Sequence, residues 1–158
     1  MTTPEREQKI ESIRRLPGMI EAAVKGMTDQ QLDTRYRQGG WTVRQVVHHL
    51  ADSHLNAFIR MKLILTEDHP TLKPYDQDKW AALVDSQSAA IQSSLNILRG
   101  LHERWSVLLD SIPEPAWRKT AFHPERGEIT LEGTLSTYAG HGEKHVQTIL
   151  TLKAEKGW

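Results

Sequence analysis

Apolar residues recur at every third or fourth position through four separate stretches of this chain, and that period restricts the possible folds more than any other feature. The clearest repeat is Ile91, Leu95, Leu98, His102, Trp105, Leu109 and Ile112. A segment patterned in this way carries one apolar stripe along an α-helix, and the stripe has to be buried against something. The spacing predicts a helix from roughly Ser86 to Ile112, closed by Pro113 and Pro115, because proline has no backbone donor. An earlier stretch runs from about Thr3 to Gly26, with Ile10, Ile13, Leu16, Ile20 and Val24 as its stripe. Pro4 suits its first turn, whereas Pro17-Gly18 should kink or divide it. The second stretch begins after Gly39-Gly40-Trp41, where Thr42 and Gln45 form a capping box, and continues to about Thr66. The fourth is capped by Thr130 and continues to about Lys156.

The connections complete the architecture. Pro70 and Pro74 make the loop from Glu67 to Tyr75 irregular, and Gln77 to Val84 can form a short helix. Residues 118–130 read as a loop or small hairpin with Gly127 near the turn. Four amphipathic helices, each about 22 to 27 residues long, predict an all-α protein, a four-helix bundle in a single domain over residues 1–158. Short extra helices and a small loop or hairpin before the last helix would accompany it. The link between the second and third long helices is about twenty residues, enough to cross the bundle rather than make a tight antiparallel turn.

Composition excludes several classes of function. Twenty basic and twenty acidic residues balance, which argues against nucleic acid or an anionic membrane as partner. Without cysteine there is no disulfide framework, no thiolate-held zinc and no cysteine nucleophile. Any thiol in the chemistry must arrive from outside. The opening MTTPEREQKIESIRR lacks the apolar run of a signal peptide, and no segment approaches the ~20 apolar residues of a membrane span. The expectation is a soluble, cytoplasmic protein.

The histidines carry the chemistry. His141 and His145 lie one helical turn apart, on an otherwise apolar face continued by Leu131, Leu135, Tyr138, Ile149 and Leu152. Imidazoles withdrawn from water need partners for both ring nitrogens, and a divalent metal can serve two rings together. Gly140 and Gly142, costly in a helix interior, suggest that a neighbouring group needs room beside the pair. Zinc-protease chemistry is disfavoured, because Gly142 stands where that motif requires a glutamate base.

A third ligand must come from elsewhere. On the second helix His54 lies near the centre of the stripe of Val43, Val46, Val47, Leu50, Ala57, Met61 and Leu65, with His48 and His49 on its flanks. Periodicity by itself selects His54, or His102 on the third helix. His69 and His123, each before a proline, read as surface residues, and Trp41 should pack at the entry to the second helix. Asp52, one turn beyond His49, could orient an imidazole from outside the ligand shell, the alternative being an ordinary solvated aspartate. Arg44, Arg60 and Lys62 could bind an anionic substrate, although a charged outer face is the default for such residues.

The segments GGWTVRQVVHHLADSH (39–54), KPYDQDKW (73–80), LHERW (101–105), FHPERGEITLE (122–132) and HGEKH (141–145) span most of the chain. In this order they resemble the DinB-like superfamily, and within it the YfiT-type branch of metal-dependent hydrolases and bacillithiol transferases. The resemblance implies a four-helix bundle whose metal is held by three histidines. One is the histidine directly before leucine on the second helix and the others are the HxxxH pair, here His49, His141 and His145. It implies one divalent ion per subunit, zinc or nickel, a small-molecule substrate, and a homodimer. Three neutral imidazoles leave a coordination position open, as catalytic sites do. The expected activity is thiol S-transfer, in which a metal-bound low-molecular-weight thiol attacks an electrophile. The alternatives are hydrolysis by metal-activated water and a non-catalytic, metal- or ligand-binding stress protein.

Overall fold

The periodic segments fold as helices whose ends are set by side-chain caps. The computed structural model describes residues 1–158. The elements in order are α1 (Thr3–Val24), the one-turn α2 (Asp29–Leu32), α3 (Val43–Thr66), α4 (Gln77–Ala81), α5 (Val84–Ser88) and α6 (Ile91–Asp110). A 3-10 turn (Glu114–Arg118), the strands β1 (Thr120–His123) and β2 (Gly127–Thr130), and α7 (Leu131–Lys156) follow. Thr2 with Glu5, Thr28 with Gln31 and Thr42 with Gln45 form capping boxes, so orphan amides at three helix starts find side-chain oxygens. The β1–β2 hairpin turns at Gly127, whose φ of +73° is strained for other residues.

Two segments depart from their sequence pattern. Pro17 lies inside α1 and does not divide it. Its missing N–H deprives the Ile13 carbonyl of the usual helical donor, and the His102 ring takes up that carbonyl instead at 2.6 Å. The helix expected from Ser86 is broken at Ala89 and Ala90 and resumes at Ile91. Arg44 and His48 of α3 both hydrogen-bond the Ala89 carbonyl, at 3.1 Å each, and hold it out of a helical ladder.

α1 packs against α6 and α7, and α3 packs against the same two, so α1 and α3 stand diagonally across the bundle. The starts of α1 and α7 share an apolar cluster with the ends of α3 and α6, including Ile10, Ile13, Met61, Trp105 and Leu135. The opposite ends form a second cluster, with Ile20, Val47, Leu50, Leu98 and Ile149. α1 and α7 therefore run one way and α3 and α6 the other. Because α3 and α6 are parallel neighbours, their link must return along the bundle, and α4 and α5 pack on α3 as it does so. No helix is long and apolar enough to cross a membrane.

Between the two apolar clusters lies a polar belt. It contains Ser53 and His54 on α3, His102 on α6, and His141 and His145 on α7. α1 comes close to α7 at this level. A Cβ on Gly142 would stand 2.6 Å from the buried Leu16 side chain, which would have to shift to admit it. Gly140 faces open space, and nothing in the structure explains its lack of a side chain. The expectation of crowding holds for one glycine of the two.

These surroundings set opposite outcomes for the same substitution. Gly142→Ala should destabilise the fold, since overpacking costs about 1–3 kcal/mol and the gain in helix propensity recovers only about 1. Gly140→Ala should be neutral or stabilising by up to about 1 kcal/mol. Urea denaturation of both variants beside the parent measures the difference.

Candidate metal centre

His49 of α3 and His141 and His145 of α7 bring three imidazoles to one point beside the belt. The Nε2 atoms of His49 and His141 are 3.1 Å apart, as are those of His141 and His145. One ring nitrogen from each residue lies within 4.8 Å of the other two. Imidazole nitrogens bound about 2.1 Å from one ion are separated by roughly 3 to 3.6 Å, so this set is compact enough to share a cation. The rings present edges to one another, and the Trp41 indole packs against His49 with centroids 4.6 Å apart.

The same crowding fixes the protonation state. Burial, then the neighbouring rings of His141 and His145, push His49 down to about 3. Burial, then His145, bring His141 to about 3. His145 is lowered to about 4 by burial and Lys144. All three rings are neutral near pH 7, the form in which imidazole donates a lone pair to a metal.

A cavity of about 560 Å³ opens beside this point. Its walls include His49, His141, Arg60, Tyr75, His123 and Tyr138. Arg60 donates to the Tyr138 hydroxyl at 3.1 Å and to the Lys73 carbonyl at 2.7 Å, tying α3 to α7 and to the link that returns along it. Burial pushes the Tyr75 phenol up to about 12, so it remains a donor. His123 accepts the Glu125 amide at Nδ1, at 3.2 Å, which leaves its proton on Nε2. Burial lowers the His123 pKa, keeping that ring a neutral donor as well. The wall is thus rich in groups that can face a negatively charged oxygen.

The other sequence candidates are placed elsewhere. His54, the choice from periodicity, is fully buried at the centre of the belt, behind the cluster rather than in it. Its Nε2 lies 3.4 Å from His141 Nδ1, and its Nδ1 lies 3.1 Å from His102 Nε2. Burial drives His54 well below the ordinary histidine range and His102 to about 4. His48 is structural, bonded to Ser94 and to the Ala89 carbonyl. Arg44 is likewise structural, paired with Asp29 and Asp33. Asp52 makes no bond to His49; the ring that contacts a cluster histidine from behind is His54. His69 is exposed as expected, whereas His123 is buried and lines the cavity. Tyr138 reaches the cavity on the same face of α7 as His141, while Tyr75, Glu125 and Arg126 also reach it and no local spacing in the sequence marks them.

The chain is similar to known proteins in sequence and in fold. The sequence profile of the DinB superfamily matches residues 12–149. A Bacillus subtilis protein named "Putative metal-dependent hydrolase YfiT" is 46% identical over 157 residues, covering 97% of this chain and 88% of its own length. A relative from Oceanobacillus iheyensis, also named a metal-dependent hydrolase of that kind, is 45% identical over 149 residues, 94% of this chain and 86% of the other. The solved structure of Bacillus subtilis YfiT is described as "a probable metal-dependent hydrolase with an unusual four-helix bundle topology". It superposes with a TM-score of 0.97 at 43% identity, covering 100% of this chain and 91% of that one. The agreement extends over both the sequence and the helix arrangement, and the chain belongs to the DinB superfamily.

Proposed function

We propose that the protein is a metal-dependent enzyme in which His49, His141 and His145 hold a divalent cation and the adjoining cavity receives a small polar substrate. The observation that carries this reading is the convergence of three neutral imidazoles, two of which, His49 and His141, stand in the wall of an open cavity. Three protein ligands and an accessible side are the pattern of catalytic metal sites. The relatives named metal-dependent hydrolases support it. When bound, the cation supplies Lewis acidity that lowers the pKa of a coordinated thiol or water. Imidazole suits zinc and nickel alike.

Thiol transfer is the reaction that these residues favour. A thiol has a pKa of about 8.5 and water about 15.7, so a thiol ionises at a cation without help from a base. No carboxylate hydrogen-bonds to any of the three rings, and Gly142 fills the position where a metalloprotease carries its base. His123, Tyr75 and Tyr138 supply donors for charge that develops on the electrophile. With no cysteine in the chain, the thiol is a cosubstrate. Hydrolysis is the second reading, favoured by Asp76 and Glu125, carboxylates at the cavity that could take a proton from water. Zinc- or nickel-loaded protein, offered a panel of small thiols with a generic electrophile and an ester in parallel, separates the two. Ester cleavage without thiol consumption would select hydrolysis.

His145→Ala should remove stoichiometric metal, by elemental analysis, while circular dichroism retains most of the helical signal. Metal content equal to that of the parent would refute the site. The lowered pKa values give a second expectation. His49, His54, His102, His141 and His145 all lie below the ordinary value of 6.5 in the folded chain. The unfolded chain therefore binds more protons below pH 6.5, and stability that is fully present above that value is lost as pH falls toward 4. Each such ring costs up to about 1.4 kcal/mol per pH unit in this window. Thermal melts in chelator should show Tm falling from about pH 6.5 downward, and an unchanging Tm to about pH 5 would contradict the burial of these rings.

A further inference from the structure

We infer that Pro17 on α1 fixes the tautomer of His141: the carbonyl it frees orients a relay through His102 and His54 that leaves the His141 Nε2 lone pair facing the cluster. Proline has no N–H, so the Ile13 carbonyl lacks its ordinary donor four residues on. His102 Nδ1 lies 2.6 Å from that oxygen. A carbonyl can only accept, so the His102 proton is on Nδ1. A neutral imidazole has one N–H and one lone pair, which makes His102 Nε2 an acceptor.

The remaining protons follow in order. His54 Nδ1, 3.1 Å from His102 Nε2, must donate, which leaves the lone pair of His54 on Nε2. His141 Nδ1, 3.4 Å from that atom, must donate in turn. Its lone pair is then on Nε2, the atom 3.1 Å from the Nε2 atoms of both His49 and His145. No ring in the series has a choice once the carbonyl end is set. His54 and His102 are 0% and 1% exposed, so water does not offer the intermediate nitrogens another partner. Their ring centroids are 5.0 Å apart with planes inclined by 21°, and the facing nitrogens are 3.1 Å apart, within hydrogen-bond distance. Among buried side-chain nitrogens and oxygens, only the Ser106 hydroxyl lacks a partner, so the relay is complete.

A histidine bonded at one nitrogen presents the other in a defined state, and outer partners of this kind orient metal ligands. With its proton on Nε2, His141 would have its lone pair on Nδ1, turned away from the cluster. His54 and His102 are thus positioning residues for the proposed metal site, and the inference rests on that reading only for what the lone pair binds.

Long-range ¹H–¹⁵N correlation spectra of the metal-free protein near neutral pH read the tautomer of each ring directly. His54, His102 and His141 should each be protonated at Nδ1 and bare at Nε2. Nε2 protonation at His141 or His54 in the parent protein would overturn the relay, and this measurement needs no variant to fold. His102→Phe removes the acceptor of His54. It should give mixed tautomers at His141 and weaken zinc binding about 10- to 100-fold. A folded His102→Phe protein with the His141 tautomer unchanged would also overturn the relay. His49→Ala separates the two ideas, since it should abolish zinc binding while leaving the three relay tautomers as they were. Should the parent show the stated tautomers but bind neither zinc nor nickel, the metal reading fails and the relay stands.

Discussion

The structure depends on giving every buried imidazole nitrogen a partner. Two apolar clusters meet across the middle of the bundle, and the layer between them is built from histidine, serine and glycine in place of leucine. A polar group taken out of water without a hydrogen bond costs kilocalories, so a layer of this kind is tolerated only when its bonds close. They close through contacts between helices: α6 to α1 through His102, α3 to α6 through His54, and α7 to α3 through His141. The belt therefore specifies which helices are neighbours as well as stabilising them. An apolar belt could accept a slid or rotated helix more readily than a belt whose nitrogens must meet at about 3 Å.

Much of this was legible in the chain. Period and caps located α3 within a residue of its ends, because Thr42 and Gln45 act locally. The HxxxH pair follows from helical pitch, so His141 and His145 could be read as sharing a face. The third ring could not be read in that way. Spacing on α3 identifies the most buried histidine, His54, but the cavity lies at the edge of the stripe, where His49 stands. Periodicity reports burial, and a cluster that small molecules can reach is set where burial ends. The resemblance, which rests on a long run of residues, supplied His49 where spacing could not.

The remaining differences have tertiary causes. Pro17 carries a strong local signal for a break, yet α1 continues because a ring from another helix satisfies the carbonyl it exposes. Ala89 and Ala90 carry no break signal, yet the helix stops there because Arg44 and His48 compete for a carbonyl. In each place the deciding partner comes from a different helix, across the bundle. The cavity wall is similar, since Tyr75, His123 and Tyr138 come from a link, a hairpin and a helix that only the fold brings together.

The order of the helices also governs how fast such a chain can find its structure. Helices joined directly by a short turn pair early, and bundles of that kind fold rapidly because most of their contacts are local. Here α1 and α3 are diagonal, α6 and α7 are diagonal, and α3 meets α6 only after the link has run back along the bundle. No interface between long helices is a simple hairpin. The chain must close long loops before any packing repays their entropy, which predicts slower folding than an up-and-down bundle of equal length, with the belt's cross-helix bonds among the last to form.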